Sequence, residues 1–191
     1  MTGRFDIYVI GVGGQGIGLL SEVLMRAIDH AGHPVRAVDT HGLAQRGGTV
    51  ESHVRMGAGV HTPLIQRGKA HLVVALEIHE ALRGAETYLA EGGTLVYYAA
   101  SWQPLGVRLK QAEAVADADI ESAGREKQAS VVRVHKEALS DPRMQNTVLL
   151  SEIARRNLVP GVNAEHYERA LADMLGGDAL TKNLALFRDD R

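Results

Sequence analysis

Five glycines fall within eight residues in Gly11-Val12-Gly13-Gly14-Gln15-Gly16-Ile17-Gly18, directly after the apolar run Ile7-Tyr8-Val9-Ile10. Glycine admits positive φ and lets a ligand or a neighbouring backbone approach without meeting a Cβ. The first N–H groups of a helix have no partner inside it, so a helix beginning near Ile17 offers them to a phosphate or carboxylate. The chemistry open to Gly11, Gly13, Gly14, Gln15 and Gly16 is therefore anion binding. The competing reading is structural: the same glycines let a strand and a helix pack closely around no ligand at all.

A second stretch has the residue types for chemistry, Asp39-Thr40-His41-Gly42-Leu43-Ala44-Gln45-Arg46-Gly47-Gly48. Thr40, Gln45, Arg46 and Gly47 make an adaptable polar loop that clamps an anion or docks on another chain, with Arg46 paired to a carboxylate there. His41 is the one candidate catalytic residue, placed to orient a substrate carbonyl or donate to a cofactor, or else to hold its own loop together. Gly11 to Gly16 also fits G-x-G-x-x-G, and Asp39 closes the next apolar run where an acid meets a ribose in dinucleotide-binding chains. A stand-alone NAD(P)- or flavin-binding protein is the alternative these residues leave open beside the ligand-free one. No histidine pair has zinc-helix spacing, so no metal site is expected. Glu77 is expected to cap the following helix or to meet Arg83, and Trp102 to be either a partner contact or local core.

These residues need elements to hold them. Ile17, Leu20, Val23, Leu24, Ala27, Ile28 and Ala31 recur at helical spacing, Gly32 stops the helix, and Val35 to Asp39 reads as a strand. Thr49 to Met56 alternates as a strand with one polar face, and Gly57-Ala58-Gly59 turns it toward a short returning strand at Val60 to Thr62. Leu72 to Leu76 is a strand covered on both faces, followed by a helix from about His79 to Ala90 that Glu91-Gly92-Gly93 ends. Strands at Thr94 to Tyr98 and Ser130 to Val134 flank a polar helix between Lys110 and Lys127. From Pro142 the chain reads as helical, with Asn163 capping a helix. Strands alternating with helices predict an α/β fold: a Rossmann-like, doubly wound, mostly parallel sheet with helices on both faces and a helical C-terminal region.

Composition narrows the function. The 191 residues suit one domain spanning 1–191, too short for a cofactor domain plus a full substrate domain. A net charge of -2 with interspersed signs argues against nucleic acid. No window is long and apolar enough for a membrane helix and none resembles a signal peptide, so a cytoplasmic protein with no membrane partner is expected. The chain has no cysteine, which removes disulfides, a thiol nucleophile and a Cys-ligated iron–sulfur cluster from it.

Taken together, Gly11-Val12-Gly13-Gly14-Gln15-Gly16, Thr40-His41-Gly42, Gln45-Arg46-Gly47-Gly48 and Ser52-His53-Val54-Arg55 resemble the gamma-type subunits of the 2-oxoacid:ferredoxin oxidoreductases. Weaker agreement runs through Ala75-Leu76-Glu77 and Glu80-Ala81-Leu82-Arg83 to Asn183-Leu184-Ala185-Leu186-Phe187. His41, where many relatives carry tyrosine, favours the indolepyruvate branch. Ile78 and Leu150-Ser151 depart from the family pattern away from both loops. The resemblance implies an enzyme that oxidatively decarboxylates an arylpyruvate to an acyl-coenzyme A, with electrons passing to ferredoxin. It implies thiamine diphosphate, Mg and [4Fe-4S] clusters in a large partner subunit, and an accessory role for this chain, inactive alone. Coenzyme A is then the candidate ligand of the glycine turn and Arg46, with an interface role for Thr40 to Gly48 as its rival and a ligand-free scaffold as a third reading.

Overall fold

Along Phe5–Val12 (β1) alternate residues point to opposite sides, and both sides are buried. Ile7 and Val9 lie on one, Tyr8 and Ile10 on the other, and none is more than 1% exposed. A strand covered on both faces needs helices above and below. The computed structural model describes residues 3–41, 48–101 and 114–189, and its strands are β1, β2 (Val35–His41), β3 (Thr49–Met56), β4 (Ala70–Ala75), β5 (Leu89–Tyr98) and β6 (Ser130–Val134). They form a six-stranded sheet in the order β2-β3-β1-β4-β5-β6. β1, β4, β5 and β6 pair in parallel, and β3 is antiparallel to both β1 and β2. The doubly wound, mostly parallel α/β architecture expected from the alternation is the one that forms.

The helices are α1 (Ile17–His30), α2 (Ile78–Thr87), α3 (Asp117–Glu126), α4 (Gln145–Arg155), α5 (Ala164–Met174) and α6 (Gly177–Asp189). Leu20 and Leu24 of α1, Leu149 of α4, Tyr167 of α5 and Phe187 of α6 pack over Ile7 and Val9. Ala81 and Ala85 of α2 and Ile120 of α3 pack over Tyr8 and Ile10. α1 ends where Gly32 takes φ 77°, with Gly32 N–H donating to Asp29 O (2.8 Å) and His33 N–H to Ile28 O (3.2 Å). That is a glycine-terminated helix end in which the left-handed residue satisfies the last carbonyls. Asn163 caps α5 by accepting from His166 N–H at 3.4 Å, as its position predicts. The order of strands reverses between β1 and β4, so the loops after these two strands lie at the switch point of the sheet.

Two expectations are corrected, and the polar face of β3 finds its cover. Val60 to Thr62 forms no strand, because its carbonyls are taken by guanidinium groups: Arg36 Nε donates to Val60 O (2.8 Å) and Arg55 Nη1 to Thr62 O (2.8 Å) and Leu64 O (2.9 Å). The polar face of β3 is not a solvent face. His53 and Arg55 are buried, His53 against Tyr8 and Tyr88, with its Nδ1 accepting from Ile65 N–H at 3.2 Å. Finally, α2 stops at Thr87 and β5 already begins at Leu89, which pairs with Ala70; a register shift, with Gly92 at φ 71°, carries the pairing on to Thr94 and Leu72. Trp102 and residues 110–113 of the expected polar helix lie outside the described residues.

Candidate functional site

β1 ends at Val12, and the glycine turn that follows is filled by its own amide. The Gln15 side chain is 3% exposed; its Oε1 accepts from Val12 N–H (2.8 Å) and its Nε2 donates to Leu76 O (3.2 Å), joining the ends of β1 and β4. A Cβ on Gly11 would lie 2.9 Å from Gln15 Oε1 and 3.0 Å from the Leu76 Cβ, so this glycine makes room for the plug. Gly16 is the N-cap of α1 in the left-handed region (φ 82°, ψ 31°), and no side chain caps the helix. From α4, Asn146 Nδ2 donates to Gln15 O (3.2 Å) and Gly16 O (3.0 Å).

This geometry divides the anion-binding residues expected from the sequence. Gly13 N–H donates to Gly48 O (2.8 Å) and Gln15 N–H to Val12 O (3.1 Å), so neither is turned to a ligand. Gly11 and Gln15 build the turn rather than face its ligand. Among the described residues no acceptor meets the N–H of Gly14, Gly16, Ile17 or Gly18, and Gly14 and Gly18 are exposed. The open N–H groups at the start of α1 are therefore those of Gly14, Gly16, Gly18 and the buried Ile17, the last two being positions outside the expected set.

The Gly13–Gly48 bond also brings the two glycine loops together, which their separation along the chain concealed. Thr40 Oγ1 donates to Glu51 O at 3.3 Å, a bond within the sheet. His41 is the last residue of β2, paired in register with Val50. The His41 side chain and Gln45, Arg46 and Gly47 lie outside the described residues. At the return of the second loop Thr49 Oγ1 donates to Glu80 Oε1 (3.2 Å), while Arg83 Nε bonds Glu80 Oε2 (3.0 Å). Burial pushes the Glu80 carboxyl above the usual carboxylate range, and Arg83 opposes that shift. Glu77, fully buried, caps α2 through Glu80 N–H and lies 3.1 Å from His79 Nδ1, so the N-terminus of α2 is filled by its own carboxylate.

Asp39, the expected ribose ligand, accepts through Oδ1 from Ser52 Oγ (2.5 Å) and Ser21 Oγ (3.2 Å). Because β3 is inserted between β2 and β1, Asp39 stands two strands away from the glycine turn's strand rather than on its neighbour. Burial lowers the His53 pKa, and His71 Nδ1 accepts from Asp6 N–H at 3.0 Å. Among the described residues no cluster of three His, Asp or Glu side chains is placed to hold a metal. Nor is any helix among them long and apolar enough to cross a membrane.

A doubly wound sheet with an uncapped helix N-terminus at its switch point, and a second glycine loop tied to the first, defines a Rossmann-like class of α/β domain. Residues 6–189 match the pyruvate ferredoxin/flavodoxin oxidoreductase family, and the chain belongs to that family. Over 83 residues it is 52% identical to the indolepyruvate oxidoreductase subunit IorB of Archaeoglobus fulgidus, covering 44% of this chain and 41% of the relative. The matches to such curated relatives span between 40% and 52% of their length. The fold is similar to the pyruvate oxidoreductase subunit PORC of Thermotoga maritima, with a TM-score of 0.64 and 18% identity over 99% of this chain and 96% of that one. It is also similar to 31% of a chain of 2-oxoglutarate:ferredoxin oxidoreductase from Magnetococcus marinus, solved with 2-oxoglutarate, coenzyme A and succinyl-CoA bound (TM-score 0.68, 18% identity, all of this chain covered).

Proposed function

We propose that this chain is the gamma-type subunit of a cytoplasmic indolepyruvate ferredoxin oxidoreductase. Its large partner carries thiamine diphosphate, Mg and the [4Fe-4S] clusters, decarboxylates an arylpyruvate to an acyl-coenzyme A and delivers the electrons to ferredoxin. The observation that carries the reading is the family match over residues 6–189, supported by the 52% identity to an indolepyruvate oxidoreductase subunit. With no cysteine the chain supplies no cluster ligands. Its contribution is the open N-terminus of α1 at Gly14, Gly16 and Gly18, whose N–H groups suit a phosphate of coenzyme A at the boundary with the partner, and Arg46 is the cation proposed to join them.

The test is co-expression with the large subunit, copurification and an anaerobic assay of indolepyruvate- and coenzyme A-dependent dye reduction. Activity is expected only when both chains are present. Separate elution with no activity, and tight binding of NAD or flavin to this chain alone, would replace the proposal with a free-standing nucleotide-binding protein.

A second reading assigns Thr40 to Gly48 to the interface, with Arg46 paired to a carboxylate of the partner. The bond from Gly13 N–H to Gly48 O favours it, because that bond spends one of the turn's N–H groups on holding the loop. Arg46→Ala separates the two. Ligand binding predicts a coenzyme A KM raised about tenfold with assembly intact, the size of one lost charge-assisted hydrogen bond. Lost assembly with the KM of the residual complex unchanged supports the interface.

A further inference from the structure

Asn146 is 1% exposed on the first turn of α4, and its Oδ1 is buried with no hydrogen-bond partner among the described residues. A flipped amide does not repair this, since it would set Oδ1 against the carbonyl oxygens of Gln15 and Gly16 and leave Nδ2 without an acceptor. An apolar side chain at this position would avoid the unmet oxygen. The fold accepts it where the nitrogen half of the same amide holds the N-cap of α1. That N-cap has no side chain of its own. A serine or aspartate there would hold the turn but would also cover a first-turn N–H, the group an anion needs. Asn146 holds the turn from the carbonyl side instead. Gly16 O accepts from Leu19 N–H (3.0 Å), Leu20 N–H (3.2 Å) and Asn146 Nδ2 (3.0 Å), so the amide sits on the first hydrogen bonds of the helix. A Cβ on Gly16 would lie 2.7 Å from Asn146 Nδ2, which makes glycine the residue this contact requires.

We propose that Asn146 is the positioning residue of the glycine turn: it fixes the carbonyls of Gln15 and Gly16 so that the N–H groups of Gly14, Gly16 and Gly18 stay open to a phosphate-bearing ligand. The ligand half of this inference rests on the coenzyme A reading above; the positioning half does not.

The variants are Asn146→Asp and Asn146→Leu, which keep the branching and heavy-atom count of the side chain and remove the donor, with Thr147→Val as the control. Thr147 is the adjacent buried polar residue, but its hydroxyl donates to Asn183 Oδ1 (2.5 Å) on α6 rather than to the turn. In the chain alone, amide exchange at Leu19 and Leu20 is expected to speed up about tenfold in both Asn146 variants and to stay at the wild-type rate in Thr147→Val. In the enzyme assembled with the large subunit, both Asn146 variants raise the coenzyme A KM about tenfold and change kcat less than about twofold, while Thr147→Val lowers thermal stability only. Should the aspartate variant fail to fold, the leucine variant answers both questions. Unchanged exchange in the Asn146 variants, or equal acceleration by Thr147→Val, overturns the positioning role. Faster exchange with an unchanged KM upholds that role and overturns coenzyme A binding at this turn.

Discussion

Arg55→Ala is expected to cost about 3–5 kcal/mol of folding stability, the range for breaking a buried ion pair by removing one partner. Asp6 is fully buried and Arg55 is 7% exposed. Arg55 Nε bonds Asp6 Oδ1 at 2.9 Å, Nη2 lies 3.5 Å from Oδ2, and Nη1 holds the carbonyls of Thr62 and Leu64. Alanine would leave a buried carboxylate with the half-exposed Arg4, 3.1 Å from Asp6 Oδ2, as its one remaining cation among the described residues. It would also strip two carbonyls of the donor that stands in for a sheet ladder. The double variant Asp6→Leu with Arg55→Met removes both charges, so it is expected to be less destabilised than the sum of the single changes. Urea unfolding of wild type, Asp6→Leu, Arg55→Met and the double variant reads the coupling directly. A loss below about 1 kcal/mol for Arg55→Ala would mean that the pair is no stronger than a surface salt bridge.

That pair shows where sequence reading stops. The strands of the parallel run and the first helix are legible because period-2 and period-3.6 apolar patterns are local properties of the chain. The alternation of β3 is equally legible. Its consequence is not, because a polar face reads as solvent-facing unless the covering segment is known, and here residues 60–65 cover it. Only the antiparallel insertion of β3 beside β1 brings Arg55 opposite Asp6, and sheet order is not written in any one segment. The same holds at the candidate site. The glycines announce the turn, whereas Asn146 reaches it from about 130 residues away and reads in sequence as one more polar residue at a helix start. Gln15 shows the reverse case. The motif leaves its position unrestricted, yet the fold uses its amide to occupy the centre of the turn.

Gln15→Leu is therefore expected to destabilise the chain by about 2–6 kcal/mol, because it leaves the buried Val12 N–H and Leu76 C=O each without a partner at about 1–3 kcal/mol apiece. Part of that loss is offset if the turn relaxes to admit water, which would show as faster amide exchange at Val12 without global unfolding. Gln15→Glu distinguishes the two halves of the plug. An ionised carboxylate still accepts from Val12 N–H but repels Leu76 O, whereas a protonated one can still donate to it. Burial and that repulsion raise the folded-state pKa of the introduced Glu above its unfolded value of about 4.3. Between the two values the unfolded state has released the proton and the folded state retains it, so stability falls as pH rises through that window. Relative to wild type, the Glu variant should be least destabilised below about pH 4.3 and reach a constant, larger deficit above the folded-state pKa. Urea midpoints for both proteins across pH 4 to 8 test this. A gap that does not change with pH would show that Leu76 O does not depend on a donor at residue 15, and that the joint between β1 and β4 is held by packing alone.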